Sequence, residues 1–185
     1  TEIPFWRTVA SNGRRKTIGK YGTDLGERGI YDIRNSLNEL TGREWVYFLN
    51  SVWIQAYPPV ADRCGFDLRK IHPCPKPPTL MRDIMLFFTK RGQWILDPFA
   101  GVGGTLLGAL LCDPPRNAIG IEINPLYISA YKNVCKSEEL KRQKMIHADS
   151  KDMLKFADIN EREFDLILTD PPYSNLMNRP KTVIK

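Results

Sequence analysis

Apolar residues along the chain follow two regimes. Residues 1–29 show no steady period, from Ile30 to about residue 90 apolar residues recur at helical spacing on either side of a connector, and from Gln93 they come as short runs separated by helical stretches. In the first regime Ile30, Ile33, Leu37 and Leu40 predict the buried face of one helix. Thr41-Gly42-Arg43-Glu44 is a capping-box pattern, and Trp45, Val46, Phe48, Leu49 and Val52 follow it as the apolar face of a second helix. Residues 58–78 read as a proline-rich connector that ends in His72-Pro73-Cys74-Pro75-Lys76-Pro77-Pro78. Thr79 is expected to cap a helix from Leu80 to Lys90, with Leu80, Met81, Ile84, Phe87 and Phe88 buried and Gly92 as the stop.

In the second regime Trp94-Ile95-Leu96, Ala118 to Ile123, Met145-Ile146-His147 and Phe164 to Leu168 predict strands. Between them Gly104 to Leu111, Pro125 to Lys136, and Lys151 to Ala157 with Ser150 as its cap predict helices. Alternation at this spacing implies βαβ units, hence an α/β fold with a mainly parallel sheet. Residues 1–70 form a basic arm and helical region, and residues 71–185 the sheet-containing core.

Each predicted strand ends at, or just before, an acid: Asp97, Glu122, Asp149 and Asp170, spaced by 25, 27 and 21 residues. Strand C-termini of a parallel sheet share one edge, where open α/β sheets bind ligands. Capping and turn chemistry alone would explain some of these acids, but a succession of them points to a crevice lined by carboxylates. The stretch Asp97-Pro98-Phe99-Ala100-Gly101-Val102-Gly103-Gly104-Thr105 lets the backbone turn sharply and approach a ligand, with a helix N-terminus aimed at the same spot. It lacks the Lys-Ser/Thr of a phosphate loop and the G-x-G-x-x-G spacing of a dinucleotide loop. An acid before the glycines suits a ligand with an ammonium group. Glu122 is placed to accept from ribose hydroxyls, as acids also do in NAD-binding folds, and Asp149 to accept from an adenine amine. Together these parts suit S-adenosyl-L-methionine.

Thr169-Asp170-Pro171-Pro172-Tyr173 carries the chemistry. The lone pair of a nucleobase amine is delocalised into its ring, so the amine is a poor nucleophile. The Asp170 carboxylate and the Pro171 carbonyl would accept its N–H bonds and turn the lone pair outward. Consecutive prolines stiffen that carbonyl, and Tyr173 would stack on a base drawn from its helix. A proline turn with Tyr173 packed on the core is the plainer alternative for this stretch alone.

In Asp97–Thr105 (DPFAGVGGT), Glu122, Asp149 and Asp170–Tyr173 (DPPY), the sequence resembles the amino-group DNA methyltransferases, which methylate adenine N6 or cytosine N4. His72–Met81 (HPCPKPPTLM) resembles that family's segment ahead of the cofactor loop. The resemblance implies a Rossmann-like class I S-adenosylmethionine-dependent methyltransferase fold and DNA as partner, with adenine N6 favoured and restriction-modification among the settings it implies. It implies catalysis by Asp170, Pro171, Pro172 and Tyr173. It also implies cofactor binding by Lys76, Pro77, Asp97, Phe99, Ala100, Gly101, Gly103, Thr105, Glu122, Ile123, Asp149 and Ser150, with Lys76 and Pro77 at the methionine end. The cofactor segment precedes DPPY here, and only 12 residues follow Tyr173. The sheet is therefore expected to be incomplete at its C-terminus, and further polypeptide after Lys185 or a complementing chain to complete it. A guanine-N2 methyltransferase of tRNA or rRNA, and a non-catalytic subunit that binds nucleic acid, are the competing readings.

Composition narrows this little further. A hydrophobic fraction of 42% and a charged fraction of 26% exclude a disordered or low-complexity chain. No apolar run reaches the roughly 20 residues of a bilayer span, and no secretory signal opens the sequence, so a cytoplasmic protein is expected. The net charge is +6. Residues 1–90 hold 14 lysines and arginines against 9 acids, including Arg7, Arg14, Arg15, Lys16 and Lys20. That suits a polyanionic partner, and equally a solvated basic surface. The 4 cysteines form no C-x-x-C pair, and Cys64, His72 and Cys74 match no zinc spacing, so no metal is expected.

Overall fold

A parallel sheet of 4 strands is the centre of the computed structural model, which describes residues 18–53, 57 and 64–173. Its strands are β3 (Trp94–Asp97), β4 (Asn117–Glu122), β5 (Lys144–His147) and β6 (Leu166–Ile167), in the spatial order β5-β4-β3-β6. Every neighbouring pair is parallel, so the expected α/β fold with a parallel sheet is present. Side chains alternate between its faces. Ile95 and Ala118 join Met85, Leu106, Leu107, Tyr131 and Val134 on one face, whereas Leu96, Ile119 and Ile121 join Ile146 and Ile159 on the other. The crossover helices are α4 (Gly104–Leu111) and α5 (Pro125–Ser137).

The connection from β5 to β6 differs from expectation. Residues Ser150–Lys155 form a 3₁₀ helix rather than an α-helix, followed by the short α6 (Ala157–Asn160). Its cap is Asp149, whose carboxylate accepts the Lys151 N–H at 3.0 Å; Ser150 is not the cap. Strand β6 is shorter than the expected Phe164–Leu168. It pairs with β3, and among the described residues no strand lies on its other side.

The N-terminal region departs further. In place of a helix through Ile30–Leu40, β1 (Gly22–Asp24) and β2 (Ile30–Asp32) pair antiparallel, and turns follow. The turns arise from short polar side chains. Asp32 Oδ1 accepts the Arg34 N–H, Asn35 Oδ1 those of Leu37 and Asn38, and Asn38 Oδ1 that of Leu40. These bonds take backbone donors that a helix needs for its own ladder. The basic stretch from Arg7 to Lys16 lies outside the described residues.

Helix α1 (Gly42–Phe48) has the expected capping box. Thr41 Oγ1 accepts the Glu44 N–H at 3.3 Å, and Glu44 Oε2 accepts the Thr41 N–H at 2.8 Å. Its expected apolar face is only half used. Trp45 and Phe48 pack on Phe87 at ring distances of 4.9 and 4.8 Å, whereas Val46, Leu49 and Val52 are exposed.

The single-turn helix α2 (Phe66–Arg69) interrupts the connector. Buried Arg69 then anchors the chain, donating to the carbonyls of Cys64 at 2.8 Å and Lys76 at 2.9 Å. Helix α3 (Pro78–Phe88) begins one residue before the expected cap Thr79, with Pro77 at the capping position. Pro78 needs no backbone donor there and already has a helical φ. Phe88 is exposed, and the helix instead buries Arg82 and Asp83 as an ion pair at 2.7 Å. Among the described residues no helix is long and apolar enough to cross a membrane.

Candidate active site

Backbone pairing brings the glycine loop, the connector and the end of β6 to one edge of the sheet. The Ala100 N–H reaches the Ile121 carbonyl at 2.9 Å, and the Leu168 N–H reaches the Leu96 carbonyl at 3.0 Å. Between these elements lies a cleft of about 210 Å³. Its lining includes Lys76, Asp97, Phe99, Ala100, Gly101, Thr105 and Asp170 of the expected site, together with His72, Cys74, Met81, Ile84 and Thr169.

Asp97 is buried at the end of β3. Its Oδ1 accepts the Phe99 N–H at 3.0 Å and the Thr169 hydroxyl at 2.7 Å. Burial pushes its carboxyl above the ordinary carboxylate range, against hydrogen bonds from Thr105, Thr169 and the Phe99 N–H. A raised folded pKa means that the ionised form costs stability once the pH exceeds the folded value. Asp97→Asn is therefore expected to unfold at an equal or higher temperature than the wild type at neutral pH. That advantage should shrink as the pH falls toward the ordinary carboxylate range, where Asp97 itself is neutral. Thermal unfolding across pH checks this; a large loss on Asn substitution would mean that the fold needs the charge.

Glu122 fastens the loop to β4. Its Oε2 accepts the Gly101 N–H at 2.8 Å and its Oε1 the Asn124 N–H at 2.7 Å. Each oxygen keeps a second lone pair for a ligand. Gly101 and Gly103 have φ of +53° and +79°, a region that favours glycine. Thr105 follows in the first turn of α4.

Ile123 and Phe99 are exposed beside these acids. Asp149 and Ser150 follow β5 at the same sheet edge but are not in the lining. The Ser150 hydroxyl donates to the Pro98 carbonyl, tying the loops after β5 and β3 together.

Asp170 is bonded on both oxygens. The Lys76 ammonium pairs with Oδ2, and the Tyr173 hydroxyl donates to Oδ1. The Lys76 hydrogen bond first, and that from Tyr173 second, hold the Asp170 carboxyl below the ordinary carboxylate range. Lys76, expected at the methionine end of a cofactor, thus links the connector to the segment after β6 that carries Asp170. Pro77 starts α3 behind it. Pro171, Pro172 and Tyr173 are exposed and lie outside the cleft lining.

Sequence reasoning missed Thr169, which bridges β6 to Asp97. Its place immediately before Asp170 was the available signal. It also gave His72 no role beyond a discounted metal cluster. Among the described residues no three His, Cys, Asp or Glu side chains gather as a metal site.

A family model for N6/N4 methyltransferases, described as DNA methylase, matches residues 17–133. The DNA adenine methyltransferase YhdJ of Escherichia coli (strain K12) is 46% identical over 57 residues, which are 31% of this chain and 19% of that protein. The type II methyltransferase M.Cfr9I of Citrobacter freundii is 36% identical over 63 residues, 34% of this chain and 20% of that protein. These matches span about a fifth of the length of either relative.

Two solved structures align more loosely. One, from Listeria monocytogenes, is described as a class I S-adenosylmethionine-dependent methyltransferase. It covers 67% of this chain and 35% of its own at 22% identity and a TM-score of 0.39. TYW2 of M. jannaschii in complex with AdoMet covers 42% and 36% at 24% identity and a TM-score of 0.35. With the family match extending over well more than half of its residues, this chain belongs to the N6/N4 DNA methylase family.

Proposed function

We propose that this chain methylates an exocyclic amino group of a base in DNA, adenine N6 in preference to cytosine N4, with Asp170 orienting the amine. The observation that carries the proposal is the cleft itself, in which the glycine loop, the connector's Lys76 and Asp170 meet. S-adenosyl-L-methionine is the methyl donor of the family's chemistry, and the residues present suit it. Gly101 lets the His72 ring approach the loop closely, since a Cβ there would stand 3.3 Å from His72 Nε2. Asp97 would take the ammonium end, Glu122 the ribose hydroxyls, and Asp149 the adenine amine, with the apolar Phe99 and Ile123 beside the base. The bound cofactor supplies an electrophilic methyl group.

The protein's own part is to present the amine. Asp170 accepts one N–H of the target, exchanging the Tyr173 hydroxyl for it, and the Pro171 carbonyl accepts the other. Tyr173, released, stacks on the base. Lys76 keeps the carboxylate charged and turned toward the cleft. The outer edge of β6, on which no strand pairs among the described residues, is a place for further polypeptide.

The test is incubation with labelled S-adenosyl-L-methionine and DNA or tRNA, followed by mass spectrometry of the nucleosides. N6-methyladenine in DNA is expected. N4-methylcytosine would overturn the base, methylguanine in tRNA alone would move the substrate to RNA, and cofactor binding without any product would leave a non-catalytic subunit.

Glu122→Ala should weaken S-adenosyl-L-methionine binding by about 1–3 kcal/mol, the range for hydrogen bonds to a charged group. It also frees the Gly101 N–H from its acceptor. Calorimetry showing wild-type affinity, or tighter binding of NAD than of S-adenosyl-L-methionine, would remove Glu122 from the cofactor site.

A further inference from the structure

Among the described residues the backbone ladder between β3 and β6 ends with the Leu168 N–H on the Leu96 carbonyl at 3.0 Å. Beyond that rung the two chains part. Asp97 leads into the glycine loop, and Thr169 leads into Asp170. A side-chain bond spans the gap: the Thr169 hydroxyl donates to Asp97 Oδ1 at 2.7 Å. Asp97 is 3% exposed, whereas Thr169 is exposed and lines the cleft. The Thr169 side chain therefore adds little to core packing, and none of the roles above uses its hydroxyl.

The loop after β3 is held from two sides. Toward β4, Glu122 Oε2 accepts the Gly101 N–H at 2.8 Å. Toward β6, Thr169 holds Asp97 by the same Oδ1 that accepts the Phe99 N–H at 3.0 Å. The hydroxyl is thus fixed to an oxygen that the loop backbone already fixes. Asp170 comes next in the chain and precedes a proline, so its backbone has few conformations with which to absorb a shift of Thr169. Asp97 takes the ammonium end of the methyl donor in the reading above, and Asp170 takes the target amine. Group transfer is sensitive to displacements of about 1 Å, and this bond ties one carboxylate-bearing turn to the other.

We propose that Thr169 is a positioning residue, whose hydroxyl locks the carboxylate that holds the ammonium group of S-adenosyl-L-methionine to the turn that presents the target amine. Methyl donor and acceptor are thereby kept in register. This rests on the cofactor reading given above.

Two substitutions isolate the hydroxyl. Thr169→Val keeps the shape of the side chain and loses the hydroxyl, whereas Thr169→Ser keeps the hydroxyl. Single-turnover methyl transfer should slow about tenfold in the Val variant, and the Ser variant should recover most of that loss. A second readout concerns pH. Asp97 must be ionised to attract an ammonium group, and the Thr169 hydrogen bond is one of the contacts that favour its ionised form against burial. The other titratable groups at this edge are Glu122 after β4, His72, Cys74 and Lys76 on the connector, and Asp170 and Tyr173 after β6. All are present in every variant, so a difference between variants reports Asp97.

Calorimetry on the purified protein across pH makes the comparison. S-adenosylhomocysteine should lose affinity at a higher pH in the Val variant than in wild type or the Ser variant. 5′-Methylthioadenosine, which lacks the amino-acid part, should bind all three alike. A Thr169 that serves only the fold lowers Tm in the Val variant and leaves the pH profile of binding where it is in wild type. That outcome, or a Ser variant as slow as Val, overturns the inference. Wild type that binds neither probe overturns the cofactor reading itself.

Discussion

Asp170→Ala is expected to lower kcat for methyl transfer by about 10³-fold, the scale on which removing a group that acts on the reacting atom is felt. Affinity for S-adenosyl-L-methionine should stay within about twofold, since the substitution removes no proposed contact to it. The split follows from where Asp170 stands, at the end of β6, bonded to Lys76 and Tyr173 rather than to the loop that holds the cofactor. Single-turnover kinetics and calorimetry on the same variant check it; equal losses in both would make Asp170 a cofactor residue. Because the hydrogen bond from Lys76 keeps the carboxyl below the ordinary carboxylate range, Asp170 stays ionised at every pH above that range. No inflection of kcat in that window should therefore come from it.

Tyr173 offers the companion measurement. Its hydroxyl donates to the carboxylate oxygen that the target amine needs. Tyr173→Phe frees that oxygen and keeps the ring, so it should be the mildest change, with Tyr173→Ala between it and Asp170→Ala. A Phe variant as inactive as Asp170→Ala would assign the hydroxyl a chemical role that stacking does not require.

The parallel sheet was legible because its signals are long-period. Runs such as Trp94-Ile95-Leu96 and Ala118–Ile123, separated by helical stretches, have few other ways to bury their apolar side chains. The strand-end acids were legible for the same reason: parallel pairing puts equivalent positions at one edge wherever the helices lie. The hairpin at β1 and β2 was not legible. Ile30, Ile33, Leu37 and Leu40 have helical spacing, yet Asp32, Asn35 and Asn38 between them hold the backbone in turns.

The buried charges were hidden too. Nothing in the sequence marks Arg69 and Arg116 as buried, yet each is 1% exposed, Arg69 with its donors spent on the nearby carbonyls of Cys64 and Lys76 and Arg116 with donors spent on the distant Thr89. Arg116 and Arg91 share Glu39, which ties the N-terminal turns to the core. In the site the carboxylates could be placed by register alone. The link from Lys76 to Asp170 and the place of His72 in the cleft depend on how the connector folds over the glycine loop, and a proline-rich sequence gives that path no period.

The glycine loop supports the other large effect, a loss of stability. Gly103 has φ +79°, and a Cβ there would stand 2.3 Å from Tyr131 Cδ2 and 2.9 Å from Cγ. The ring has little freedom to retreat: Tyr131 is 1% exposed, and its hydroxyl accepts the Gln143 N–H at 2.8 Å and donates to the Gln143 carbonyl at 3.2 Å. Gly103→Ala therefore adds an overpacking cost of about 1–3 kcal/mol to a left-handed backbone cost of about 1–2 kcal/mol. The sum corresponds to a fall in Tm of roughly 5–15 °C for a chain of this size.

Gly92 is the control. Its φ is also +79°, but a Cβ there meets nothing within 4 Å, so Gly92→Ala should lose the backbone term alone. The difference between the two variants in thermal unfolding isolates the contact with Tyr131, and equal losses would show that the ring yields. Gly103 also donates to the Ala100 carbonyl at 2.8 Å. A displaced Gly103 would consequently drag the turn that presents Gly101 to Glu122, and S-adenosyl-L-methionine affinity should fall in Gly103→Ala while Gly92→Ala keeps it.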